Sequence, residues 1–343
     1  MNNDSLKNKQ QGMTLIEIMV ALLLGAFLLA GVMQIFLSSR QSYRIQDNLS
    51  RMQENGRFAM EFITRDIRMA GYQGCSITNA NNNTSPQNPN PNPTPVTLTA
   101  LNNNEIMGTN GVANNWNTIA CGAGNNCVAG TDAISYHFGT VCGNLTGNMA
   151  TNNANIQIST ANSCGIQAYD VLLVADCSGA DIFIASNASA AAGTQTIAHA
   201  ANQNTSPMLS KVYGTDAQLF KLNSSTFFIR TGAGGRPALW KMNNTKVVSA
   251  ANPVELVEGV ENMQILYGED TNADGTPDYY VAAGTAGLIM NQVISVRISL
   301  LVTSIDDSLT LQPRSYTYNG VLTTPIDRRL RRVFSSTISV RNR

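Results

Sequence analysis

The chain opens with a sharp division between polar and apolar positions. Residues 1–12 are polar and hold Lys7, Lys9 and one acid, Asp4. Residues 13–39, MTLIEIMVALLLGAFLLAGVMQIFLSS, then run without proline and with a single charge, Glu17. A helix of this length is about 40 Å long, enough to cross a hydrocarbon core of about 30 Å. Lysines before the run and cysteines after it predict an N-in, C-out span. Beyond it the pattern becomes amphipathic. Leu49, Met52, Gly56, Ala59, Ile63, Ile67 and Ala70 step by three and four, with Phe58, Phe62 and Met69 widening the stripe. Arg51, Glu54, Glu61 and Arg65 fall mostly off that face. Gly71 is the expected stop. One helix is therefore expected from about residue 13 to about residue 70, half apolar all round (13–39) and half amphipathic (40–72).

A stretch rich in asparagine and proline follows, and residues 73–131 read as a flexible insert. From 132 to 343 the pattern turns to short alternating segments. The candidate strands are 133–138, 171–175, 182–185, 226–231, 238–242, 255–267, 279–282, 293–304 and 333–340. The expected class is α+β, a long N-terminal helix packed on an antiparallel β-sheet domain. Arg328, Arg329, Arg331 and Arg332 form a basic cluster, read as charge guarding a solvated strand edge.

Composition adds the compartment. Only 13% of residues are charged, and 22 basic residues balance 22 acidic ones, so no net field points to nucleic acid or an anionic substrate. Six cysteines, Cys75, Cys121, Cys127, Cys142, Cys164 and Cys177, all follow the apolar run. With no CxxC pair and only two histidines, they read as disulfides of an exported domain rather than as a zinc site. Cys121 with Cys127 closes the shortest loop, and the connectivity stays open.

Glu17 is the anomaly. A carboxylate inside a membrane helix costs about 3 kcal/mol and usually has a named partner. A cleaved secretory signal has a shorter apolar region ending in a small-x-small site. An ordinary signal anchor has no use for the acid. Gly12-Met13-Thr14-Leu15-Ile16-Glu17 instead resembles the class III signal of type IV prepilins: a short basic leader, a glycine, and an apolar helix with glutamate as its fifth mature residue. The stretch ENGRFAMEFITRDIRMAGYQGC (54–75) and the ending RRVFSSTISVRNR (331–343) resemble the minor pilin family PilW, whose type II secretion counterpart is the pseudopilin GspJ. The resemblance implies cleavage after Gly12 by prepilin peptidase, making 1–12 a leader, and N-methylation of Met13. Many family members have phenylalanine at that position, so Met13 is a departure. Glu17 would then lie one turn from the new amine and pair with the amine of a neighbouring subunit. Neutralising its own amine near the helix N-terminus is the local alternative. Ala21 with Gly25 and Ala26 with Ala30 are small residues at a helix-packing spacing, or the ordinary content of a membrane helix.

The implied function is that of a minor pilin that primes or caps a type IV pilus, with a type II secretion pseudopilin as the alternative and an anchored exported binding protein or enzyme as the third class. The implied partners are other minor pilins, the major pilin, prepilin peptidase, the inner-membrane assembly platform and a tip adhesin. The implied location is the inner membrane, then a pilus on the cell surface. No catalytic motif is visible, and the chain is read as a non-enzyme. One cofactor motif stands out. Asp270, Asn272, Asp274, Thr276 and Asp278 fit the oxygen positions of a calcium loop with glycine at its sixth position, Gly275. The twelfth position, Val281, lacks the bidentate glutamate, and a polar β-turn uses the same residues.

Overall fold

The computed structural model describes residues 14–75, 81–82, 105–112, 127–245 and 252–340. Its first element is a single helix, α1 (Leu15–Arg68), of 54 residues. At 1.5 Å per residue it is about 80 Å long. It ends where the sequence places the stop: Gly71 takes a left-handed backbone, φ +78°, and donates its amide to the His137 carbonyl.

Seventeen strands follow among the described residues. The first nine are β1 (Asn81–Asn82), β2 (Ile106–Thr109), β3 (Ala133–Asn144), β4 (Ile156–Ser159), β5 (Val171–Asp176), β6 (Gly179–Ile184), β7 (Asn187–Ala191), β8 (Thr194–Ala198) and β9 (Gln218–Thr231). The rest are β10 (Pro237–Asn243), β11 (Val254–Glu258), β12 (Val260–Glu269), β13 (Tyr279–Ala282), β14 (Val293–Thr303), β15 (Tyr316–Tyr318), β16 (Val321–Thr323) and β17 (Arg331–Ser339). The fold is α+β and its pairing is antiparallel except for β1 beside β6.

The largest sheet is organised by β9, which pairs with β3 along one edge and with β5 and then β10 along the other. The second sheet has the order β13-β12-β14-β17. A small sheet, β4-β8-β7, closes a separate core under β5 and β6. The amphipathic half of α1 lies in the seam between the two larger sheets. Met52, Ala59, Ile63, Ile67 and Ala70 join Tyr136, Phe227 and Leu239 of one sheet and Ile265, Val296, Ile298 and Val302 of the other in one core. Gly56 permits the closest approach: a Cβ there would lie 2.3 Å from the ring of Phe334 on β17.

Four details differ from the expectations. The single strand expected over 255–267 is broken at Gly259 (φ +84°), so β11 belongs to the first sheet and β12 to the second. A Cβ at Gly259 would meet the Thr303 carbonyl oxygen at 2.9 Å, so a glycine at the crossing lets the chain change sheets. Phe58, Phe62 and Met69 are exposed, because only the stripe through Met52 and Ile63 faces the seam. The expected insert over 73–131 is not uniform, since β2 pairs with β3 and Ile106 and Val112 are buried. Asp132 ties this region to the second sheet by accepting the Gly111 and Ile265 amides at 2.8 and 2.7 Å. Burial pushes the Asp132 carboxyl up to about 6, against the downward pull of those two amides. Finally, the basic cluster is not solvated as a whole. The Arg331 side chain is only 5% exposed and is ion-paired to Glu261 at 2.6 Å and to Asp327 at 2.7 Å, while Arg329 donates to the Ser304 and Ile305 carbonyls.

Candidate functional site

The helix N-terminus begins with Thr14, an extended cap residue, and Glu17 stands three positions on, the spacing of a capping box. The Glu17 amide donates to Thr14 Oγ1 at 3.4 Å, and Thr14 returns its amide at 3.1 Å and its hydroxyl at 3.2 Å, both to Glu17 Oε2. An acid in the first turn also opposes the positive end of the helix dipole. This capping box occupies Glu17 within its own chain and bears on neither reading of its pairing with an amine. Gly12 and Met13 lie outside the described residues.

Every large apolar side chain from Leu15 to Leu37 is exposed, from 46% at Ile18 to 77% at Leu15. Among the described residues nothing of the domain packs on this half, and outside the helix's own backbone no atom lies within 4 Å of the Cβ positions of Gly25 or Gly31. Ala21, Ala26 and Ala30 lie on the same exposed helix. At about 1.5–3 kcal/mol for each fully buried large side chain, the surface left open is worth tens of kcal/mol. Such a surface needs lipid or other helices around it.

The other half is fixed to the domain by polar contacts that the apolar pattern hides. Asp66 is buried and takes the Tyr136 hydroxyl at 2.5 Å and Lys241 Nζ at 2.6 Å. Burial and the neighbouring Asp66 push the Tyr136 hydroxyl well above its usual range, which keeps it a donor. Lys241 also stands 5.9 and 5.7 Å from the ring centres of Tyr136 and Phe227. Nearer the membrane half, buried Asn48 donates to Asp306 Oδ2 and accepts its amide, each at 3.1 Å. Asp66 and Asn48 occupy the buried stripe, Asp66 directly before Ile67 and three residues after Ile63. That register was the available signal for a polar contact inside the seam.

The cysteines form cross-links that hold the domain together. Cys75, just past α1, is bonded to Cys177 in the β5–β6 turn, and Cys142 on β3 is bonded to Cys164. No cysteine among the described residues is free. The Cys121–Cys127 pairing involves Cys121, which lies outside the described residues.

The 270–278 loop is a turn held by its own amides. Asp270 accepts the Asp274 amide at 3.2 Å and the Gly275 amide at 2.8 Å. Asn272 Oδ1 accepts the Asp274 amide at 2.9 Å, and Asp274 accepts the Thr276 amide and hydroxyl at 2.8 and 2.5 Å. Asp278 accepts the Thr271 amide and hydroxyl at 2.8 and 2.5 Å and the Asn272 side-chain amide at 3.3 Å. Among the described residues, no group of three or more His, Cys, Asp or Glu side chains is placed to hold a metal ion. These bonds are those of a polar turn closed by its own amides.

Comparison with known families agrees with this geometry at both ends of the chain. The prokaryotic N-terminal methylation motif matches residues 7–33. The family of the type IV pilus-assembly protein W, PilW, matches residues 226–342, which run from within β9 to beyond β17 and include all of the second sheet. No curated protein and no solved structure matches the chain.

Two measurements test the local chemistry. Asp66→Ala strands the Tyr136 hydroxyl and the Lys241 ammonium, and chemical denaturation should show a loss of about 2–4 kcal/mol, reduced in the Asp66→Ala/Lys241→Met pair. Asp270→Ala removes the acceptor for two loop amides and should cost about 1–3 kcal/mol, equally with calcium and with chelator. A calcium heat in titration calorimetry that disappears in Asp270→Ala and Asp274→Ala would support the cation reading.

Proposed function

We propose that this chain, with the N-terminal methylation motif matching residues 7–33 and the PilW family matching residues 226–342, is a membrane-anchored minor pilin that primes or caps type IV pilus assembly as a structural subunit. The observation that carries the reading is the division of α1. Its second half is built into the domain, and its first half presents an apolar surface to nothing among the described residues. A filament whose core is a bundle of such helices covers that surface, and the bilayer covers it beforehand.

In this reading prepilin peptidase removes 1–12 on the cytoplasmic side of the inner membrane, and methylation follows on Met13. The new amine lies beside Thr14, within one turn of Glu17. While the subunit stands alone in the membrane, the Thr14 bonds partly satisfy the Glu17 carboxylate. On assembly Glu17 pairs with the amine of a neighbour, which converts two costly charges into one satisfied pair and sets the axial register. The partners are other minor pilins, the major pilin, the assembly platform and a tip adhesin. The chain carries no catalytic task in this account.

Deletion of the gene is expected to remove surface pili and leave secretion of folded proteins intact. Complementation with wild type should restore pili, whereas Glu17→Ala should give a stable, membrane-inserted protein that enters fibres at least about tenfold less, since one lost buried pairing of more than about 1.4 kcal/mol has that effect. Intact pili with lost secretion would select the pseudopilin. Glu17→Ala incorporated as well as wild type would remove the assembly role from Glu17.

A further inference from the structure

The four most exposed large apolar side chains among the described residues after α1 lie within sixteen positions of one another. They are Leu311 at 92%, Val321 at 63%, Leu322 at 71% and Ile326 at 101%; the next is Met208 at 56%. Their segment, 305–329, leaves β14 and is bound to α1 at a defined height. The Gln41 side chain donates to the Leu309 carbonyl at 2.9 Å, Asn48 holds Asp306, and Arg44 stands 3.8 Å from Asp306. The chain then returns beside itself, since the Leu309 and Thr310 amides both donate to the Arg328 carbonyl. Leu311 and Ile326 are thus brought to the same end of the segment.

That end has a fixed relation to the apolar run, which stops two residues before Gln41, about 3 Å along the helix axis. A run of about 40 Å fills the hydrocarbon core and reaches through the headgroup layers, whose total thickness is about 40–45 Å. Gln41, and the loop bonded to it, therefore stand at the level of the headgroups on the far side of the membrane. Arg314 and Arg328 are exposed on the same loop and Arg40 and Arg44 on α1 beside it, while the acids of the segment are engaged locally, Asp306 with Arg44, Asp307 with the Ser308 and Arg328 amides and Asp327 with Arg331. Exposed aliphatic side chains flanked by arginines at headgroup height match the chemistry of a bilayer interface: acyl chains for one, lipid phosphates for the other.

We propose that segment 305–329 rests on the bilayer surface from which α1 emerges, with Leu311 and Ile326 entering the boundary between headgroups and acyl chains and Arg314 and Arg328 meeting phosphates. The contact continues the lipid-facing surface of α1 onto the globular domain. With α1 as the second point of attachment, it fixes the tilt of the domain over the membrane before the subunit leaves it. The inference rests on the apolar half of α1 lying in lipid and is independent of the role of Glu17.

The test places a photoreactive p-benzoyl-phenylalanine at Leu311, Ile326 or, as an exposed control, Met208, in the full chain reconstituted in phosphatidylcholine–phosphatidylglycerol vesicles. Irradiation and intact-mass analysis then score lipid adducts. Several-fold more lipid adduct at Leu311 and Ile326 than at Met208 is the expected result, with the same ratio in a Glu17→Ala background. Lipid adducts no more frequent than at Met208, or cross-links to protein copies alone, would overturn the proposal even if the chain assembles normally. All three positions are exposed, so unchanged thermal melting checks that the substitutions leave the fold intact.

Discussion

A helix can stand in water only along the part of its length that has somewhere to bury its apolar side chains. In this chain that condition divides α1 in two, and the rest of the structure follows from the division. The seam between the two large sheets accommodates the helix from about Asn48 to Ala70 and stops there. Residues 15–37, apart from Glu17 and Gln34, are apolar on every face, so no soluble domain of this size could absorb them by packing on one side. The apolar half must be covered from outside, and the covering medium, lipid or neighbouring helices, sets where the protein resides and what it joins.

The domain is accordingly arranged to grip its half of the helix firmly. Burial supplies most of the adhesion, through the shared core that reaches from Met52 to Ala70. Direction and register come from the polar contacts. Asp66 is held from β3 by Tyr136 and from β10 by Lys241, while Asn48 is held by Asp306 beyond β14. A force or displacement on the membrane half is therefore transmitted to both sheets. The Cys75–Cys177 bond adds a covalent tie between the chain just past the helix and the β5–β6 turn.

Much of this was legible in the sequence because it depends on periodicity. The steps from Met52 through Ala59, Ile63 and Ile67 to Ala70 identified the buried face, and the alternation of Val296, Ile298, Leu300 with Ser295, Arg297, Ser299 identified β14. Failures came where a single residue overrides a pattern. Gly259 turns one apparent strand into two in different sheets, and apolar alternation carries no record of that crossing. Asp66 and Asn48 drew no notice in the sequence because their partners, Tyr136, Lys241 and Asp306, are distant along the chain. Phe58 and Phe62 were assigned to the apolar side by type, yet the seam is only wide enough for the stripe beside them. At the N-terminus the Thr14–Glu17 capping box went unread, although Thr14-Leu15-Ile16-Glu17 carries its spacing.

The division of the helix is tested most directly by exporting a fragment that lacks residues 1–39 to an oxidising compartment, and measuring its solubility, association state and thermal transition. The account predicts a detergent-free monomer with formed disulfides and a cooperative transition at the temperature of the detergent-solubilised full chain. A fragment that precipitates, or melts far below the full chain, would show that the apolar half is needed by its own domain and would contradict the account.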